Sequence, residues 1–297
     1  MSAAGVREDV VRFECGGAGL WGILARPDGP EARVGVVIVV GGPQYRVGSH
    51  RQFVLLARAL ARHGYATLRF DHTGLGDSEG DPRRFEDLGP DIQAAIDALA
   101  QACPHTRAYV VWGLCDAASA AFMHATGDAR VAGIVAANPW ARSEASLAET
   151  HVRHYYGARL VQGEFWAKLA SGAFDWRESW RSLRRNAAAA ASNRWRRETT
   201  PTDFRRAMAT GFARFRGRVL MILSGNDLTA KEFLQVAASA RSPRWTLDDP
   251  KVTRLDLPEA DHTFSHAPWR EAVEARTIAW LDELQASLSG EPAMAHR

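Results

Sequence analysis

YVVWGLCDAASAAFMHA, residues 109–125, joins a run of β-formers to a run of helix-formers through a glycine and a cysteine. Tyr109–Trp112 is apolar and stops at Gly113. After Cys115 come Asp116, Ala117, Ala118, Ser119, Ala120 and Ala121, all small or helix-compatible. The pattern predicts strand, sharp turn, helix, with a thiol at the apex. A turn of the form G-x-nucleophile-x-G needs small residues two before and two after the reactive one, because larger side chains collide there. Gly113 and Ala117 meet that demand, with Cys in place of Ser and Ala in place of the second Gly. The plainer reading is a buried Cys between a strand and an Ala-rich helix. Whether suitable partners stand elsewhere in the chain decides between the two.

Upstream, Val10–Phe13 and Leu20–Arg26 read as a hairpin around CGGAG. Val34–Val40 is a continuous apolar run, as expected of a strand buried on both faces. His50–His63 has helical spacing at Phe53, Leu56, Ala57 and Leu60. Ala66–Phe70 is the next strand, and DHTGLGDSEG (residues 71–80) is a Gly- and Asp-rich loop. Phe85–Ala102 presents Leu88, Ile92, Ala95, Ile96 and Leu99 on one helical face. Val131–Ala137 follows the thiol-bearing turn as a strand. Strands alternating with helices imply right-handed crossovers and a mostly parallel sheet.

That alternation breaks after Pro139. Residues 141–217 are helical in flavour, rich in Trp and Arg, with an Ala run at Ala187–Ala191; they read as a helical cap inserted into a core of residues 1–140 and 218–297. The alternation resumes with strand Arg218–Ser224, helix Glu232–Ala238, strand Val252–Leu257 and an amphipathic closing helix, Trp269–Leu288. Phe165, Trp166, Phe174, Trp176 and Trp180 are read as packing the cap onto the sheet.

Composition excludes several classes. With 46% hydrophobic and 24% charged residues and a formal charge of +3, the chain reads as globular. No stretch reaches the roughly 20 apolar residues of a membrane helix. The N-terminus lacks the basic and apolar regions of a signal peptide. The three cysteines, Cys15, Cys103 and Cys115, make neither a disulfide framework nor a metal-ligand spacing. A reducing cytoplasm is the expected location. His50, His63 and His124 have no metal spacing with Cys or carboxylates, so neither metal nor cofactor is expected. Gly74-x-Gly76 is not followed by a dinucleotide-binding helix, and Gly80 falls too late for G-x-G-x-x-G. Arg177–Arg218 holds 12 Arg against Glu178, Glu198 and Asp203. This is either a solvated helical face or a surface for anionic lipid headgroups or polymers. Nucleic acid is not an expected partner, and a monomer or weak dimer is the default.

Three strand ends offer Cys115, Asp227 and His262. In this division of labour Cys115 attacks a carbonyl carbon, His262 moves the proton, and Asp227 holds the imidazole tautomer and stabilises its cation. Cys115 begins a helix whose dipole favours thiolate. Asp116 opposes this if its carboxylate points inward; otherwise it caps the helix or faces a donor behind the reacting groups. The oxyanion needs two backbone donors, expected at the N–H of Asp116 and of Gly42, with Gln44 the fallback because Pro43 has no N–H. Gln44 and Trp140 are the candidates to contact substrate. Each piece has a plain alternative. Asp227 can simply cap the next helix, and His266 or Asp261 can stand in for their neighbours. Ser119, one turn into the helix, is rejected as nucleophile, and Cys15 and Cys103 are read as passive.

Taken together, VVGGP (39–43), RFDHTGLGDSEG (69–80), GLCDAAS (113–119), LSGND (223–227) and EADHTFS (259–265) resemble the α/β-hydrolase superfamily over almost the full chain. More narrowly, GGPQYRVGSHRQF (41–53) with GLCDAAS resembles the exosortase A system-associated hydrolase type 1 group, which is similar to esterases and acylglycerol lipases. The resemblance implies an α/β-hydrolase fold with a mostly parallel central sheet. It also implies a role beside bacterial exopolysaccharide production and the sorting of membrane-anchored proteins. The expected activity is hydrolysis of a small acyl ester or thioester through an acyl-enzyme. Acyl transfer on the same site and a non-catalytic module binding anionic lipid or polysaccharide are the alternatives.

Overall fold

The structure is a computed structural model, and it describes residues 5–42, 44–141, 202–238 and 247–290. Eight strands form one sheet in the order β1-β2-β4-β3-β5-β6-β7-β8. They are β1 Val6–Cys15, β2 Ala18–Pro27, β3 Val34–Val39, β4 Thr67–Asp71, β5 Ala108–Leu114, β6 Val131–Ala137, β7 Arg218–Ser224 and β8 Val252–Leu257. The first two pair antiparallel, as does β2 with β4; β3 to β8 run parallel. Every residue of β3, VGVVIV, is buried, as a strand covered on both faces requires.

The described helices are α1 Gln52–Arg62, α2 Gly89–Ala102, α3 Asp116–His124, α4 Thr202–Arg214, α5 Leu228–Ala238 and α6 Ala267–Ser289. On one face, Phe53, Leu56 and Leu60 of α1 and Val273, Trp280 and Leu281 of α6 pack onto Ile38, Trp112, Val135 and Leu220. On the other, α2, α3, α4 and α5 cover Val37, Val111, Ile134 and Met221. Chain direction explains the division. From β3 the sheet grows outward through α1 to β4, then returns across β3 through α2 to β5. Right-handed crossovers taken in opposite directions put their helices on opposite faces. The reversal leaves a crevice beyond the carboxyl ends of the strands, where ligands of open α/β sheets bind.

Two helix starts differ from the sequence expectation. Residues Phe85–Asp87 form a separate 3-10 turn, and α2 begins at Gly89 with Pro90 in its first turn. Proline fits there because its missing N–H has no intrahelical partner in any case. Helix α5 starts four residues early, at Leu228, because Asp227 caps it.

Of the segment expected as a cap, residues 142–201 lie outside the described residues, as do Phe165, Trp166, Phe174, Trp176 and Trp180. The part that is described, α4, packs into the core. Met208, Ala209 and Phe212 are buried, and the Phe122 and Phe212 rings meet edge-on at 5.8 Å. Such a pair adds about 0.5–1.5 kcal/mol beyond area burial. The compact unit that holds every strand accordingly resumes at Phe204.

Candidate active site

Cys115 sits at the turn between β5 and α3 with φ 63° and ψ −125°. A non-glycine residue in this region costs about 1–3 kcal/mol and persists only where its surroundings hold it. Here the Cys115 N–H donates to the Ala137 carbonyl at 2.9 Å, and the Cys115 carbonyl accepts from Trp140 N–H and Ala118 N–H, each at 3.1 Å. The turn is so tight that a Cβ at Gly113 would lie 2.6 Å from backbone atoms of Ala117 and Ala118. Only glycine fits there. Ala117 itself is fully buried.

The three thiols differ in access. Cys15 and Cys103 are buried, whereas Cys115 is half-buried. Burial pushes the Cys15 thiol up, and the Cys103 thiol up to about 11. These two remain protonated and inert at neutral pH.

His262, in the loop after β8, turns its Nδ1 toward Asp227 Oδ2 at 2.8 Å. Asp227, just past β7, also caps α5: its Oδ1 accepts Thr229 N–H and its Oδ2 accepts Ala230 N–H, both at 3.1 Å. The capping role weighed against the functional one is therefore real, and one carboxylate serves both. With Nδ1 engaged by Asp227, the ring's other nitrogen is left for Cys115, whose sulfur is among the groups that raise it. Burial opposes a charge on this ring. The Asp227 carboxylate and the Cys115 sulfur outweigh it, and His262 is raised to about 10. At neutral pH the ring is a cation.

The stand-ins for the acid and base are committed elsewhere. Asp261 accepts Thr263 N–H and Ser265 N–H at 3.1 and 3.0 Å and closes its own turn. The His266 ring lies 4.5 Å from that of Trp269. Ser119 is fully buried and donates to the Trp140 carbonyl at 2.7 Å, so it braces the chain rather than facing a substrate.

Two residues with no sequence signal hold this arrangement. Asn138, buried and at φ 44°, follows β6. Its amide donates to Ser224 Oγ at 2.9 Å and to the His262 carbonyl at 3.0 Å, and its oxygen accepts Ser224 N–H at 2.8 Å. One side chain thus ties the ends of β6 and β7 to the histidine loop. Arg46 does the same for the loop after β3. Its N–H donates to Asp71 Oδ1 at 2.7 Å, its guanidinium pairs with the same buried carboxylate, and it reaches Asp77 at 2.7 Å. Asp71 opens the 71–80 loop, whose acidic character gave no hint of an arginine partner 25 residues upstream.

Of the expected oxyanion donors, Gly42 N–H is already engaged: it donates to Asp116 Oδ1 at 2.7 Å. The Asp116 carboxylate is thus turned toward the loop after β3. Gln44 is half-buried, with its Oε1 3.5 Å from Ser49 Oγ. Trp140 is half-buried beside the turn through its backbone bonds to Cys115 and Ser119. A cavity of about 320 Å³ adjoins Gly42 and Asp116 and is lined also by His72, Arg83, Arg84 and Phe85. Among the described residues no cluster of three His, Cys, Asp or Glu side chains is arranged for a metal, and no helix is long and apolar enough to cross a membrane.

Comparison with known proteins agrees with this architecture. Solved structures with similar folds include the Pyrococcus furiosus esterase Pf2001, with 18% identity over 93% of this chain and 92% of that one and a TM-score of 0.59. Est1E from Butyrivibrio proteoclasticus, bound to ferulic acid, has 17% identity over 93% and 99% with a TM-score of 0.60. Dienelactone hydrolase from Anabaena variabilis has 16% identity over 93% and 97% with a TM-score of 0.58. No curated protein matches the chain. A protein-family model described as the alpha/beta hydrolase family matches residues 36–275, which span every strand from β4 to β8 and all three residues of the Cys115, Asp227 and His262 cluster. This chain belongs to the alpha/beta hydrolase family.

Proposed function

We propose that the chain is an esterase-like hydrolase that cleaves small carboxylic esters or thioesters with Cys115 as nucleophile, His262 as acid and base, and Asp227 as its orienting partner. The observation that carries this reading is the 2.8 Å contact of His262 Nδ1 with Asp227, on a ring that the sulfur at the strained turn also raises. His262 is raised to about 10, so the ring holds a proton that it can deliver to the leaving group.

In the first step sulfur attacks the acyl carbonyl carbon, a C–S bond forms, and the carbonyl oxygen becomes an oxyanion. Collapse of that intermediate breaks the bond to the leaving group, which takes the proton from His262. Water then attacks the thioester while His262 removes its proton. The C–S bond breaks, and the acid leaves. Proton transfer by a positioned side chain contributes about 10²–10⁴-fold. The same acyl-enzyme serves transfer to a hydroxyl acceptor in place of water. The resemblance of residues 41–53 and 113–119 supports a setting beside exopolysaccharide export, where such acceptors occur.

Intact-protein mass spectrometry after exposure to a panel of acyl esters and thioesters tests this. An acyl adduct located on Cys115 and lost in Cys115→Ala is expected. Equal turnover of an activated ester by Cys115→Ala and wild type would overturn the assignment.

A further inference from the structure

An oxyanion formed at Cys115 needs N–H donors from the loop after β3 and from the start of α3. The first of these is already taken: the Asp116 carboxylate accepts the Gly42 N–H at 2.7 Å. The packing is close: a Cβ on Gly41 would lie 2.3 Å from Asp116 Oδ1. Carboxylate and oxyanion are both anions seeking the same donor, so they exclude one another. Two observations indicate that the carboxylate can leave. Burial pushes the Asp116 carboxyl upward, against the pull of its N–H donors and the neighbouring His72, so its ion is not at ease there. And Asp116 forms part of the wall of the cavity of about 320 Å³ whose other walls carry His72, Arg83 and Arg84. Glu86 lines it too and pairs with Arg84, while Arg83 pairs with Asp91. A turned-out carboxylate would have room there.

We propose that Asp116 is a displaceable plug of the oxyanion cradle. In the resting protein its carboxylate holds the Gly42 N–H; substrate engages when its carbonyl oxygen takes that donor and the carboxylate turns into the adjoining cavity. The proposal rests on the acyl-enzyme reading above. It assigns Asp116 a gating role at the reacting atoms, with selectivity as its consequence. Small activated esters displace the plug poorly, whereas a substrate bound by further contacts displaces it well.

The test compares two reactions of Cys115 in wild type, Asp116→Ala and Asp116→Asn. Acylation by p-nitrophenyl acetate, read as the burst of p-nitrophenolate, passes through an oxyanion. Alkylation by iodoacetamide does not, and so reports thiol reactivity alone. Loss of one oxyanion donor costs about 10²–10³-fold in other enzymes, so unplugging has room to raise the acylation-to-alkylation ratio by about 10-fold or more. Asp116→Ala should show that rise. Asp116→Asn, which keeps the size and a weaker acceptor without the charge, should show a smaller one and serves if the alanine variant does not fold. An unchanged or lower ratio in the variants overturns the plug and makes Asp116 a brace for the loop. Absence of any acetyl adduct on Cys115, with alkylation intact, overturns the acyl-enzyme reading and the plug with it.

Discussion

Asp227 carries two loads that substitution can separate. As a cap it receives two backbone N–H groups of α5, and as a partner it holds His262 Nδ1 at 2.8 Å. Asp227→Ala removes both. Loss of a cap costs about 0.5–2 kcal/mol, which for a unit of this size lowers Tm by about 1–8 °C. Asp227→Asn keeps an oxygen for capping and should melt within about 2 °C of wild type. It cannot stabilise the imidazolium, and it offers an N–H where Nδ1 needs an acceptor. Acylation by p-nitrophenyl acetate should therefore fall by about 10³–10⁴-fold in both variants, on the scale of misoriented histidines in other hydrolytic triads. Thermal melts and single-turnover bursts on the three proteins give the comparison. If Asp227→Asn keeps more than about a tenth of the wild-type rate, the carboxylate is a cap and nothing more.

The other expectations concern the turn, the proton and the brace. Gly113→Ala forces a Cβ to within 2.6 Å of Ala117 backbone atoms, and overpacking of this kind costs about 1–3 kcal/mol. A melting temperature lowered by about 2–12 °C, read by scanning fluorimetry, is expected, and none of that loss should return on adding salt. His262 is raised from 6.5 to about 10, so the stability it contributes is complete below pH 6.5 and is lost as pH rises through 10. Acylation should decline over the same upper range as the leaving group loses its acid. In Cys115→Ala the ring loses one of the two neighbours that raise it, and its NMR titration midpoint should drop; an unmoved midpoint would mean that thiol and ring are not paired. Asn138→Ala strands the buried Ser224 N–H and frees the histidine loop. A destabilisation of about 2–3 kcal/mol by urea denaturation is expected, with slower acylation but unaltered iodoacetamide alkylation at a pH where the thiol is fully ionised.

The sheet was readable because its central strands are unbroken apolar runs, VGVVIV among them, which leave no second interpretation. The cluster of Cys115, Asp227 and His262 was readable because each follows a strand, and parallel strands gather their carboxyl ends at one edge. What escaped the sequence were contacts whose partners lie far along the chain. Asp116 meets Gly42, 74 residues away, and no local pattern says which way its side chain turns. Asn138 after β6 reads as an ordinary turn residue until the His262 carbonyl is found beside it. Helix α4 was assigned to a cap because its Arg-rich neighbourhood hides a short apolar stripe, and only the Phe122 contact reveals which surface that stripe covers.

Ser119 shows why the turn and the chain that leaves the sheet behave as one piece. Its hydroxyl holds the Trp140 carbonyl at 2.7 Å while Trp140 N–H holds the Cys115 carbonyl at 3.1 Å, so the exit from β6 is tied to the Cys115 peptide. The chain re-enters the core at Phe204, whose ring meets Phe85 edge-on at 5.4 Å, and Phe85 lines the cavity that Asp116 also borders. Trp140 is thus fastened beside the thiol and Phe204 beside the cavity. Strain at φ 63° is affordable at Cys115 only because these bonds act together. Loosening the exit with Ser119→Ala should relax the turn and slow acylation although Ser119 touches no reacting atom. A rate unchanged in Ser119→Ala, with unchanged melting, would mean that the neighbouring bonds to Ala137 and Ala118 suffice to hold the thiol in place.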